Sequence, residues 1–262
     1  MTVIPSARTR KAAVGAAFGA AAASYDAHAD LQLEVARRLA ERIAALPLPP
    51  APRVLEIGCG TGFLTRALAP RLPGARWVIT DLAEAMVREC RRGFPGEAAF
   101  LVMDGERPSL AGGFDLICAS LALQWFDDIG PALAGWATLL RPGGSLAFAT
   151  LAAGTFATWR EAHQELGLSA GVPDYPSAEQ LTGFLPGGGT GRIEIEPVCC
   201  PYPDGRTFLE TLRRIGADVP AEGHRPLPPG QLRRVLRRFP PPAGIVETYQ
   251  TAYGFFRREG GP

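Results

Sequence analysis

The stretch RVLEIGCGTG, residues 53–62, constrains the fold of this chain more than any other. A short β-branched apolar run enters glycines with nothing between, the pattern of a strand that turns at once into a helix. Four further apolar runs follow, at 76–81 (RWVITD), 98–104 (AAFLVMD), 114–120 (FDLICAS) and 144–151 (GSLAFATL). Helically spaced stretches separate several of them, among them FLTRALAPRL and AEAMVRECRRGF. Strand and helix alternating in this way predict an α/β fold with a parallel sheet covered on both faces. Upstream, Leu31, Val35, Leu39 and Ile43 recur every four residues, which predicts an amphipathic helix stopped by the prolines at 47, 49 and 50.

Beyond residue 152 the pattern changes. FATWREAHQEL reads as a helix, a Gly/Pro-rich stretch occupies 167–191, and RIEIEPVCCPY reads as a strand. Two short helices, TFLETLRRIG and PGQLRRVLRRF, precede a last strand near TYQTAYGFFRRE. The expected organisation is one domain in three parts: a lid and first helix (1–50), a cofactor-binding core (51–152) and a C-terminal part (153–262). Within the last, 203–245 is expected to fold over the carboxyl edge of the sheet, where open α/β folds bind ligands. With 262 residues, 47% hydrophobic and 20% charged, the chain fits neither a disordered nor a membrane-spanning protein. A net charge of +1 gives no global attraction to nucleic acid. Five cysteines without metal-ligand spacing read as free thiols in a reducing cytoplasm, and no metal site is expected. Lys11 is the only lysine, read as a bias of composition with no functional weight.

Glycines at 58, 60 and 62 let the backbone take positive φ and approach a bound molecule closely. Their spacing is GxGxG rather than the GxGxxG that seats a dinucleotide pyrophosphate. Glu56, just before them, would repel a pyrophosphate but suits a cationic amino-acid moiety. Asp81 ends the second strand, where a carboxylate can accept two ribose hydroxyls. Asp104 ends the third, where an acceptor can meet an adenine amino group. Together these features resemble the class I methyltransferases, Rossmann-like enzymes that use S-adenosylmethionine. The resemblance implies a mostly parallel sheet whose last strand is antiparallel, an N-terminal helical lid, and a helical insertion before the last strand. It places Glu56, Gly58, Cys59, Gly60, Thr61 and Gly62 around the methionine half. Asp81, Leu82 and Met86 then fall near the ribose, Asp104, Gly105 and Glu106 near the adenine, with Ser120 and Leu121 completing the cofactor set.

The fourth strand runs into ASLALQWFDD, without the Asn/Asp-Pro-Pro-Tyr/Phe turn typical of methyltransferases acting on amide or nucleobase nitrogen. A carboxylate acceptor needs no general base, because it is already ionised at pH 7. Orienting it behind the sulfonium methyl is worth roughly 7–11 kcal/mol. AAFGAAAASYDAHADLQ, VLEIGCGTGFLT, SLALQW, LRPGGSLAFATL, LRRIGA and TYQTAYGFF follow one another as in the malonyl-[acyl-carrier protein] O-methyltransferases of biotin synthesis, over nearly the whole chain. That resemblance implies esterification of the free carboxylate of a malonyl thioester on an acidic carrier protein, with neither nucleic acid nor membrane as partner. The chain departs from the family at Arg213 and Arg214, where a lysine is common in the first place, and in the Gly/Pro content of 183–191.

VGAAFGAAAASYDAHADLQ, residues 14–32, has small residues after a basic start but lacks the dense Leu-rich centre of a leader peptide. As one helix it would carry Val14, Phe18, Tyr25 and His28 on a single face. The expected reading is a lid over the cofactor mouth with Tyr25 and His28 near the reacting groups, Tyr25 as simple packing and His28 as a surface or capping residue being the alternatives. Gln124 and Trp125 are expected at the substrate. Arg160, Arg213 and Arg214 are the candidates for a bidentate grip on the carboxylate, and Trp125 and Trp159 for pocket walls. Arg233, Arg234, Arg237 and Arg238 form one stripe of an amphipathic helix, a face suited to an acidic carrier protein or simply to solvent. Three rival functions stand beside this one: methylation of a small free acid of the aconitate type, a silent S-adenosylmethionine-binding protein, and a nicotinamide-dependent reductase. The last is disfavoured by the glycine spacing and the lack of a Tyr-x-x-x-Lys pair.

Overall fold

The computed structural model of the chain describes residues 7–221 and 223–260. Helix α1 (Ala7–Ala21) and, after a 3-10 turn at Tyr25–Ala27, helix α2 (Asp30–Ala44) lead into β1 (Arg53–Ile57). The core continues as α3 (Phe63–Leu68), β2 (Arg76–Asp81), α4 (Glu84–Gly93), β3 (Ala98–Val102), β4 (Phe114–Ser120), α5 (Ile129–Leu139) and β5 (Leu140–Leu151). Then come α6 (Ala157–Gln164), α7 (Ala178–Gly183), β6 (Gly189–Tyr202), α8 (Gly205–Arg214), α9 (Pro229–Leu236) and β7 (Ile245–Arg258). One sheet takes the order β3-β2-β1-β4-β5-β7-β6. Strands β1 to β5 pair in parallel, and β7 runs antiparallel to both β5 and β6. The strand order therefore reverses between β1 and β4, and the crevice at their carboxyl ends is where an open α/β sheet receives a ligand.

Alternation along the strands divides the core. Leu116 and Cys118 of β4 face the layer of Leu31, Val35, Leu39 and Ile43, so the four-residue repeat of α2 is its buried stripe. Ile117 and Ala119 face the opposite layer with Leu133 and Trp136 of α5. No helix among the described residues is long and apolar enough to cross a membrane.

Three local readings change. The opening segment is not one helix. Phe18 and Tyr25 have ring centroids 6.3 Å apart, whereas seven residues of straight helix advance about 10 Å. The chain folds back after Ala21 because Tyr25 is buried against Phe63 (6.1 Å), a contact worth more than continued periodicity in an alanine-rich run. The stretch 167–191 holds α7, started by a capping box in which Ser177 Oγ accepts from the Gln180 amide and Gln180 Oε1 from the Ser177 amide. Finally, β3 ends at Val102, so Asp104 stands in the loop beyond the strand.

Helices α8 and α9 leave β6 at the carboxyl edge and return the chain to β7. Phe208 of α8 packs on Phe156, Trp159 and Tyr202, and Val235 and Phe239 bury the apolar stripe after α9's start. The end of α8 meets the lid. At Gly216 (φ +71°) a Cβ would stand 2.8 Å from the Ala17 backbone carbonyl carbon and oxygen, so only glycine permits this approach.

Candidate active site

A cavity partly open to solvent lies at the carboxyl ends of β1, β2 and β4 beneath α1. Its floor is the turn from β1 to α3. Gly58 and Gly60 take φ of +70° and +54°, and a Cβ on Gly58 would meet the Ala122 Cβ at 2.5 Å. The backbone can pass the β4 loop at Gly58 only because a side chain is absent there, whereas at Gly60 glycine is favoured by the positive φ alone. Glu56 is fully buried at the end of β1, accepts a hydrogen bond from Thr65 Oγ1 (2.7 Å), and its pKa is pushed up to about 8 by burial, with neighbouring Cys90 and Asp81 adding to the effect. A cation placed in this cavity would recover the ionised form. Asp81 accepts the Gly60 amide on Oδ2 (2.9 Å) and the Ala83 amide on Oδ1 (2.8 Å), which fixes its carboxylate in the wall while leaving lone pairs for further donors. Burial raises its pKa as well. A buried acid, a glycine cradle and a rigid carboxylate suit a molecule with an amino-acid end and a diol.

The lid closes this cavity with α1 and the 3-10 turn. Val14, Gly15 and Phe18 line it from above; Phe18 sets its edge on Trp125 (5.3 Å, 78°) and Gly15 rests on Leu82. Asp26 ties the turn to the glycine floor by accepting from Thr61 Oγ1 and Arg66 Nη2. Tyr25 is buried on the cavity wall. Burial, reinforced by the charges of Asp81 and Asp26, pushes its pKa far above the ordinary 10, so the hydroxyl stays neutral and can only donate or accept a hydrogen bond.

Of the residues expected at the cofactor, Glu56, Gly58, Cys59, Gly60 and Thr61 border the cavity, as do Asp81, Leu82 and Met86. Asp104, Gly105, Ser120 and Leu121 do so too. Gly62 lies behind the turn, with Cys90 Sγ 2.9 Å from where its Cβ would be. Glu106 is outside the lining: its carboxylate accepts the amides of Asp127 (3.1 Å) and Asp128 (2.8 Å) and anchors the loop before α5. At the substrate end Trp125 is a wall, but Gln124 turns away, donating to the Leu121 carbonyl and accepting from Thr150 Oγ1. His28, half-exposed after the 3-10 turn, is outside the lining. Trp159 packs between Phe208 and His163 in the core. None of the three arginines expected at the carboxylate reaches the cavity. Arg160 donates to the carbonyls of Pro173 and Thr155, while Arg213 and Arg214 are exposed on α8. A spacing argument places an arginine on a helix but not the helix's rotation toward a site in another part of the fold.

Two polar residues of the cavity are given no site role by the sequence. Gln32, in the first turn of α2, lines the cavity as Tyr25 does; the signal was its place in ADLQ, directly after the lid. Lys11 bridges Asp104 Oδ2 (2.7 Å) and Glu106 Oε2 (2.5 Å) across the cavity mouth. Its solitude in the composition was the available clue.

Fold and cavity together define a Rossmann-like methyltransferase that uses S-adenosylmethionine, and residues 54–144 match the family model of the methyltransferase domain. When bound, that cofactor supplies an electrophilic methyl group, with Glu56, the glycine turn and Asp81 placed to hold it. The plantazolicin methyltransferase BpumL, solved in complex with SAH, has the same fold, with a TM-score of 0.52 at 16% identity over 95% of each chain. The malonyl-[acyl-carrier protein] O-methyltransferase of Magnetococcus marinus is 42% identical, covering 95% of this chain and 93% of its own. The biotin biosynthesis bifunctional protein of Bordetella avium is 49% identical over 93% of this chain, which spans about half (52%) of that longer protein. This chain belongs to the malonyl-[acyl-carrier protein] O-methyltransferase family.

Proposed function

We propose that the protein methylates the free carboxylate of a malonyl thioester carried on an acidic acyl-carrier protein, an early step of biotin synthesis in the cytoplasm. The observation that carries the chemistry is that the buried, neutral Tyr25 and the amide side chain of Gln32 both line the cavity. A carboxylate oxygen forms its bond to the methyl carbon as the carbon–sulfur bond breaks, the electron pair returns to sulfur, and no proton moves. The protein's task is then to orient the anion and keep water away. Tyr25 and Gln32 can each donate one hydrogen bond to it, and Phe18 and Trp125 exclude solvent. These two donors replace the three arginines as our candidates for holding the carboxylate.

The carrier reading rests on where charge sits. Residues 203–245 contain eight arginines and four acids, a net +4, so the rest of the chain carries −3. Arg233, Arg234, Arg237 and Arg238 are all exposed, and among the described residues Arg238 alone of these has a close acid, Glu165 at 3.0 Å. Like charges four residues apart cost a helix a few tenths of a kcal/mol, which an acidic partner reverses. Reversing Arg233 and Arg237 to glutamate is expected to raise KM for malonyl-carrier protein at least about tenfold and to flatten its salt dependence, leaving KM for malonyl-CoA unchanged. Equal KM values for the carrier conjugate in both proteins would remove the docking face. Turnover of free dicarboxylates as efficiently as the conjugate would favour a small-acid enzyme.

A further inference from the structure

Lys11 is the one ammonium on the inner side of α1, and it meets three acids. Its Nζ stands 2.7 Å from Asp104 Oδ2, 2.5 Å from Glu106 Oε2 and 3.8 Å from Asp127 Oδ2. Glu106 is buried and already committed to two backbone amides, so it cannot turn to water when the lid moves. Asp104 gives its other oxygen to the Glu106 amide and lines the cavity. Arg10, on the same helix, stands 3.9 Å from Asp127 and donates to the Trp125 carbonyl. Besides these ion pairs α1 meets the cavity with Val14, Gly15 and Phe18, and its end packs through Phe18 and Ala21 with Ala83, Met86 and Ile215. Burial alone would lower the lysine pKa, but its hydrogen bonds to Asp104 and Glu106 outweigh that and leave it above its ordinary value, so the charge persists throughout the working pH range.

We propose that Lys11 is a positioning residue that latches α1 over the cofactor cavity, so that release of the cofactor product requires breaking its paired contact with Asp104 and Glu106. The carboxylate expected to meet the adenine is thereby the one that holds the lid. Removing the ammonium leaves three acids facing one another at the mouth and takes from α1 its ion pairs to Asp104 and Glu106, so the lid rests on its packing and on the contacts of Arg10 and Asp26. Arginine at the position keeps the charge.

Release of S-adenosylhomocysteine, followed by stopped-flow fluorescence with Trp125 as reporter beside Phe18, tests this. Lys11→Met is expected to speed release about tenfold or more and to abolish its dependence on salt, and Lys11→Arg to recover most of the wild-type rate. A Lys11→Met protein that melts like the wild type yet releases at the wild-type rate, with the same salt dependence, would overturn the latch. Because the chain has a single lysine, growth on 15N-lysine gives a second readout that needs no variant. One Nζ resonance protected from solvent exchange is expected in the wild type, and a freely exchanging one would also overturn the latch, even if Lys11→Met failed to fold. Failure of the wild type to bind S-adenosylhomocysteine at all would strike the cofactor assignment instead.

Discussion

Asp81→Asn is expected to weaken binding of S-adenosylmethionine by roughly two to four orders of magnitude. The carboxylate is held by amides from two different elements, Gly60 in the turn and Ala83 at the start of α4. Both of its oxygens must therefore be acceptors. An amide at this position turns its NH2 toward one of those two N–H groups, and it meets the ribose diol with one acceptor fewer and no charge. Each hydrogen bond to an ionised group contributes about 1.5–3 kcal/mol, and two are at stake. The diol is remote from the reacting bond, so kcat at saturating cofactor should change only a few-fold while KM rises. Calorimetry gives the affinity, and initial rates separate kcat from KM. An unchanged dissociation constant would mean that Asp81 shapes the turn and nothing more.

The second large effect is on pH. With a pKa of about 8, Glu56 holds its proton at neutral pH in the free protein. A cationic amino-acid moiety in the cavity favours the carboxylate and draws that pKa down. Binding therefore releases a proton, and apparent affinity rises with pH, up to tenfold per unit, until it levels off above about 8. Titrations in buffers of different ionisation enthalpy measure the proton directly. Glu56→Gln should release none and bind with an affinity flat between the ordinary carboxylate range and pH 8. Stability moves the other way. A carboxyl whose pKa is raised on folding stabilises the fold below its unfolded value and loses that contribution as pH rises through its folded one. Fully buried Glu247 on β7, pushed up to about 7 by burial, does the same, so binding rather than melting temperature isolates Glu56.

The features legible in the sequence are those carried by short-range patterns. RVLEI followed at once by glycines has no alternative to a strand and a tight turn, and Leu31, Val35, Leu39 and Ile43 can share a face only on a helix. The acids at 56 and 81 follow from strand ends, because parallel strands bring their carboxyl ends to one edge. What stayed hidden depends on rotation and return of the chain. Arg160 and Arg213 lie on the helices where the periodicity puts them, but their orientation is set by Phe208, Trp159 and Tyr202 packing beneath the cap. Tyr25 reaches the cavity through a fold-back that helical spacing does not anticipate. Lys11 and Glu106 are 95 residues apart, and only the closed lid brings them together.

The central claim is that an anionic oxygen of a malonyl thioester receives the methyl group. Purified protein, isotope-labelled S-adenosylmethionine and malonyl-carrier protein, analysed by intact-mass spectrometry, test it in one measurement. The expected result is a carrier conjugate heavier by one labelled methyl, which base treatment releases as labelled methanol. A label that survives base, or that appears on free dicarboxylates while the carrier conjugate stays unmodified, would contradict it.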